Sequence, residues 1–539
     1  MRGAAIASVA LLICASAVHA ASKPLDRSAE VDRVFSKWSA TTPGCAIGVA
    51  VNGKVEISKA YGIADLEHGT KNTVDTIFEA GSVSKQFTAA AILMLAHDGK
   101  LSLEEPVRKY LPELPDYGVP ITLRHMLTHT SGLRDWGEVA MLGGWPRGTR
   151  THTDADVLEI VARQRALNFP PGTRWSYSNT GYTLAEIVVA RVSGESLAQF
   201  TRRRIFDPLQ MTHTSWRDDY TRVVPGRAIA YQPRPDGFHM QMPFENVYGH
   251  GGLLTTVGDL LKWNEYLSSP DARDADVIRQ MQQESHLANG RPDQYAFGLF
   301  LGEYNGTSEI SHSGQTAAYT SFLARYPNQR VSVAVLCNVA SGAPTDSAHA
   351  VVDLFMAARP ETPPPVRYSM TPAEIAAVTG LYRDALTGSP SRVVSDARGL
   401  HFEYGPTLNP VSATRFLING DAAEVSAPGT ITVSDSYGAI DRYERVTQST
   451  PTPQALQALA GRYTSAESAS EAVVSVDGTV LVLKLGSNMT LRLDAVYEGG
   501  FSDGRLTAVF EHDASGKPLA MRLTTDRVWG LRFSPVGDK

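Results

Sequence analysis

Cysteine is scarce, with three residues in 539, one of them Cys14 in an apolar leader. The two that remain, Cys45 and Cys337, exclude a disulfide framework. Both sit in strand-like apolar segments, which leaves buried thiols or a single bridge between neighbouring strands. No block of like charges stands out, and a net charge of −6 with a pI near 6.2 gives no reason to expect nucleic acid or an anionic membrane surface as partner. No Gly-x-Ser-x-Gly elbow is present, which argues against an α/β-hydrolase. His125 and His129 have i, i+4 spacing, but no glutamate follows His125 as a zincin helix requires. No metal and no cofactor are expected.

What is there begins with residues 1–20, which read as an export signal. Arg2 supplies the positive start, 4–17 the apolar centre, and Val18-His19-Ala20 a small-x-small cleavage pattern before Ala21. The apolar stretch is too short for a comfortable membrane span. Ile13 stands where a lipoprotein site wants a small residue before Cys14, so no stable membrane anchor is expected. The expected destination is the periplasm or the exterior.

The remaining composition, 43% hydrophobic and 20% charged, is ordinary for globular protein. Within 22–42, Val31, Val34, Phe35 and Trp38 recur at helical spacing. Strands are expected at 46–51 and 55–61, joined by the hairpin signal Asn52-Gly53. Residues 100–245 read as helices and loops, strand patterns return at 295–302, 320–326 and 331–337, and 347–358 closes with a helix. Strands at both ends with helices between them imply one sheet whose first and last strands meet. The class is α+β, with this domain spanning 21–358 and a Pro-rich linker over 359–370.

Beyond the linker the pattern turns all-β and repeats. Thr371-Pro372 and Gly380-Leu381-Tyr382 recur at an offset of 81 as Thr452-Pro453 and Gly461-Arg462-Tyr463. Two related antiparallel, barrel-like modules are expected, at 371–447 and 448–539.

Chemistry concentrates in three stretches. Ser82 and Lys85 are three apart at the start of the apolar run 89–96, which stops at Gly99. That spacing puts both side chains on one face of the first helical turn. A buried cation at the positive end of a helix dipole has a lowered pKa, as a base that activates a serine needs. The second stretch carries Tyr177, a phenol that can pass protons, and Asn179, which can hold a lysine and a peptide group. In the third, Ser311-His312-Ser313-Gly314-Gln315, glycine lets substrate approach the backbone and His312 offers a polar group. His250-Gly251-Gly252 competes for that role, but His312 precedes the strands that must close the sheet and is preferred.

Together these motifs resemble the serine β-lactamase and penicillin-recognising superfamily, in its S-x-x-K, Y-x-N, H-x-G branch. The resemblance covers roughly 31–356 and includes Leu123-Arg124-His125-Met126-Leu127-Thr128-His129-Thr130-Ser131-Gly132-Leu133. Within it, the stretch 82–88, the run 131–136 and the two C-terminal β modules look most like bacterial D-aminopeptidase. The resemblance implies Ser82 as nucleophile, Lys85 as its base and Tyr177 as proton donor to the leaving group. It also implies that Asn179, His312, Gly314 and Gln315 bind substrate, with the backbone N–H groups of Ser82 and Gln315 forming an oxyanion hole. The expected substrate is a small peptide, amide or ester, above all one containing a D-amino acid. A carboxylesterase, a weak β-lactamase and a penicillin-binding sensor without turnover are the alternatives, and a homo-oligomer is open. Where β-lactamases carry lysine this chain has His312, largely neutral at pH 7, so esters, amides and free-amine peptides are expected to outrun penicillins.

Overall fold

The computed structural model describes residues 27–268, 274–356, 368–418, 421–426, 429–434 and 437–537. The expected export signal and the Pro-rich run 359–365 lie outside the described residues. Among those residues no helix is long and apolar enough to cross a membrane.

Alternation builds the central sheet. Along β1 (Cys45–Val51), Cys45, Ile47 and Val49 face one layer while Ala46 and Ala50 face the other. Asn52 and Gly53 both take positive φ, 52° and 75°, in the two-residue turn into β2 (Lys54–Tyr61). Four late strands follow: β3 (Phe300–Tyr304), β4 (Thr307–Thr316), β5 (Tyr319–Tyr326) and β6 (Val331–Cys337). The six-stranded order is β3-β4-β5-β6-β1-β2, so the first and last strands do meet. The third motif is not a lead-in to the strands, as the sequence suggested. It lies within β4, paired along its length with β5.

β1 and β6 run antiparallel with Cys45 opposite Cys337, and the two are joined in a disulfide with Cα atoms 4.0 Å apart. The bond spans 292 residues of chain. Losing such a cross-link typically costs about 2–5 kcal/mol. Cys45→Ala with Cys337→Ala is therefore expected to lower the unfolding midpoint, and reductant should bring the wild type down to it. A midpoint that stays put in calorimetry would mean strand pairing alone holds the two ends.

Helices cover both faces. α1 (Arg27–Val34) is shorter than the spacing of Phe35 and Trp38 suggested, because the chain turns after Val34. α2 (Lys85–His97) is buried from Lys85 through Leu95, and packs against α3 (Asn179–Ser193). α4 (Val257–Ser268) lies on β1, where a Cβ at Gly48 would sit 2.9 Å from Leu261 Cδ1. α5 (Pro344–Val352) joins α1 on the opposite face through Val31, Val351 and Val352.

The repeat is structural. Helices Pro372–Val378 and Pro453–Leu459 are capped by Thr371 and Thr452, and each precedes a strand that opens on glycine. Tyr382 donates back to the Val378 carbonyl at 2.7 Å and Tyr463 to that of Leu459 at 2.8 Å. The first module forms an eight-stranded antiparallel sheet, and the second closes into an eight-stranded barrel. The barrel's apolar interior belongs to the same cluster as α2 and α3. At the junction Arg134 and Glu467 form a buried ion pair at 2.7 Å.

Candidate active site

Ser82 sits in a 3-10 turn, Gly81–Ser84, that leads directly into α2. Its backbone is fixed from several sides. The Ser84 hydroxyl donates to the Gly81 carbonyl at 2.5 Å and accepts from the Leu253 N–H at 2.9 Å. Just before it, the buried Glu79 carboxylate takes Arg217 at 3.0 Å and Arg227 at 2.8 Å. Two glycines let this turn press against β4. Gly81 takes a φ of 52°, and a Cβ there would lie 2.5 Å from the Gln315 nitrogen. A Cβ at Gly314 would lie 2.1 Å from the Ala80 carbonyl oxygen and 3.0 Å from the Ser82 nitrogen. The Ser82 and Gln315 amides are thus brought alongside each other only because both glycines lack side chains.

Lys85 is fully buried behind Ser82. Its Nζ lies 3.1 Å from Ser82 Oγ, and it donates to Asn179 Oδ1 at 3.0 Å and to the His250 carbonyl at 2.7 Å. Burial pulls its pKa well below the ordinary lysine range, with Arg527 adding to the effect, Asp135 opposing it and Arg147 adding further. The competing motif at His250 is therefore part of the site through its carbonyl. Its ring lies 3.2 Å from the Thr183 hydroxyl instead.

Tyr177 is gripped by His129. The Ser176 N–H donates to the His129 carbonyl at 3.0 Å and the Ser178 N–H to His129 Nδ1 at 3.2 Å, with the two rings 4.3 Å apart. His129 is thus a structural brace, and His125 caps a short helix with Thr122. Burial raises the Tyr177 pKa above the usual phenol range, and the neighbouring Ser82 hydroxyl opposes this in part. Asn179 is the first residue of α3, and its N–H donates to Asp135 Oδ2 at 2.7 Å.

His312 is buried. Its Nε2 lies 3.1 Å from the Tyr295 hydroxyl and its Nδ1 2.6 Å from the Ser313 carbonyl. Burial pushes its pKa down to about 3, with the Lys85 charge adding and the Ser313 contact opposing. It lines the site as a neutral ring.

These groups surround a cleft of about 550 Å³ whose walls include Ser82, Tyr177, Asn179, His312, Gly314 and Gln315. A larger cavity of about 880 Å³, beside α4 and the ends of β1, β5 and β6, contains none of them. Two arginines that the sequence did not single out also line the cleft, Arg147 and Arg527. Arg527 comes from a loop of the C-terminal barrel, with its Cζ 4.9 Å from the centre of the Tyr177 ring. The only sequence trace of it is the Thr525–Gly530 break between two strand patterns, which carries no sign of where it docks.

The family model described as Beta-lactamase matches residues 31–357. A D-aminopeptidase of Gluconobacter oxydans is 29% identical over 380 residues, covering 69% of this chain and 70% of the relative. Among solved structures, the octameric penicillin-binding protein homologue from Pyrococcus abyssi aligns with a TM-score of 0.54 at 21% identity, over 94% of this chain and 98% of its own. The D-amino acid amidase from Ochrobactrum anthropi SV3 aligns with a TM-score of 0.52 at 22% identity, over 61% of this chain and 98% of its own.

Proposed function

The chain belongs to the β-lactamase family, and from that premise we propose that it is an exported serine hydrolase that cleaves peptides or amides of D-amino acids through a Ser82 acyl-enzyme. One observation carries the reading. A neutral lysine amine has two hydrogens and one lone pair. Asn179 Oδ1 and the His250 carbonyl take both hydrogens, so the lone pair is left for the Ser82 hydroxyl, 3.1 Å away.

In acylation, Ser82 Oγ attacks the scissile carbonyl while its proton passes to Lys85. The Ser82 and Gln315 amides are the donors next to the developing oxyanion, and such a donor typically contributes ~3–4 kcal/mol. Tyr177, kept protonated by burial, gives its proton to the leaving amine and regains one from the Lys85 ammonium. The bond to the amine breaks as the Ser82 ester forms. Water then cleaves that ester, releasing the acid and restoring the Ser82 hydroxyl. The D-aminopeptidase and D-amino acid amidase names of the relatives support a D-configured substrate. The Cys45–Cys337 bond supports an oxidising compartment such as the periplasm or the exterior.

The test is a panel of D-amino-acid amides, their L counterparts, D-alanyl-D-alanine peptides, a nitrophenyl ester and a cephalosporin. Turnover of D over L substrates is expected. Equal rates on both enantiomers would overturn the D-specific reading. A stoichiometric burst with no steady state would identify a sensor in place of an enzyme.

A further inference from the structure

The described residues that line the Ser82 cleft include two arginines and no carboxylate. Arg147 is already matched, because Glu245 accepts from its Nε at 2.9 Å and from its Nη2 as well. Arg527 is not. Its guanidinium donates no hydrogen bond to a described residue, and its Nε is buried without a partner. The carboxylates beside it stand off at 3.4 Å (Asp526) and 3.9 Å (Glu138), and Asp526 is 86% exposed, where water weakens the attraction.

This arginine is nevertheless held in place. Its N–H donates to Glu138 Oε2 at 3.0 Å, and its carbonyl accepts from the Asp135 N–H at 3.2 Å and from Asn168 Nδ2 at 2.9 Å. Trp529 on the same loop donates its N–H to Asn168 Oδ1 at 2.9 Å and packs its ring against Phe169. Arg134 reaches over to the Trp529 carbonyl at 3.1 Å. The loop backbone is therefore anchored to the main domain, while the guanidinium lies over Tyr177, the group that meets the leaving amine. A planar, pre-positioned fork with open donors matches a carboxylate in two-pronged geometry. A substrate ammonium would find no carboxylate among the described residues that line the cleft.

We infer that Arg527 is the carboxylate receptor of this cleft, so that preferred substrates carry a free carboxylate beside the scissile bond, as a peptide ending in a D-amino acid does and a D-amino acid amide does not. The inference rests on the Ser82 acyl-enzyme reading. It also replaces the preference expected from a neutral His312, because the cation absent from β4 is supplied by the barrel.

The experiment compares kcat/KM for N-acetyl-D-alanyl-D-alanine and for its C-terminal amide, using the full chain. The wild-type ratio is expected to favour the free carboxylate. Arg527→Ala should lower that ratio by roughly 10- to 100-fold, the usual weight of a charged hydrogen-bonded contact. Arg527→Lys, which keeps the charge but loses the fork, should fall between. If Arg527→Ala does not fold, wild-type inhibition decides, with D-alanine expected to compete better than D-alaninamide. A wild-type ratio of one or below, or a ratio that neither folded variant moves, would overturn the inference. Phosphonate labelling that survives Ser82→Ala would instead count against the acyl-enzyme reading, so the two failures are separable.

Discussion

Ser82→Ala is expected to yield a folded protein that takes up no fluorophosphonate or β-lactam label and turns over no substrate. Removing the nucleophile of a serine hydrolase lowers kcat by on the order of 10⁵–10⁶-fold. The fold should survive, because the Ser82 hydroxyl meets only the catalytic groups Lys85 and Tyr177 and holds no backbone group of the turn in place. The competing hydroxyls are poorly suited. Ser84 Oγ is committed between the Gly81 carbonyl and the Leu253 N–H. Ser313 lines the cleft but lies on β4, among the residues paired with β5, and its hydroxyl makes no hydrogen bond to a base among the described residues. Mass spectrometry of the labelled peptide checks the assignment. A folded variant that still labels at comparable rate would remove Ser82 from its role and the acyl-enzyme with it.

The parts of the site that were legible in the sequence are those whose chemistry lies in local spacing. Ser82 and Lys85 meet because three residues make nearly one helical turn, and the apolar run behind them already marks α2 as buried. The closing of β1 on β6 followed from alternation and from where the strands fall along the chain. β4 was hidden because its sequence, Thr-Ser-Glu-Ile-Ser-His-Ser-Gly-Gln-Thr, is polar on both faces and contains a glycine. It becomes a strand through pairing with β3 and β5, which tertiary structure supplies. His250 was passed over because its contribution is a backbone carbonyl, and a carbonyl leaves no mark in the residue type. Arg527 was invisible for a different reason. A single arginine in a barrel loop becomes part of the site only once Arg134, Glu138 and Asn168 have docked that loop against Asp135.

Lys85→Met should leave the fold in place and lower kcat/KM by roughly 10²–10⁴-fold, the usual share of a positioned base. Methionine matches the length of the stem and the apolar setting of α2, but offers no lone pair that can take the Ser82 proton. The sign of the pH dependence gives a second readout. The active form of Lys85 is the neutral amine, so wild-type kcat/KM should rise with pH through a pKa that burial, Arg527 and Arg147 hold well below the ordinary lysine range. That rising limb should be missing in Lys85→Met, whose residual rate loses the lysine titration. His312 cannot supply the limb in its place, because at a pKa of about 3 it stays neutral throughout the working range. Arg527→Ala should move the same limb to higher pH, since removing a nearby cation makes the protonated lysine less unfavourable. A Lys85→Met enzyme that keeps the wild-type limb would show that some other group takes the Ser82 proton. The close approach of Nζ to Oγ would then be a structural contact alone.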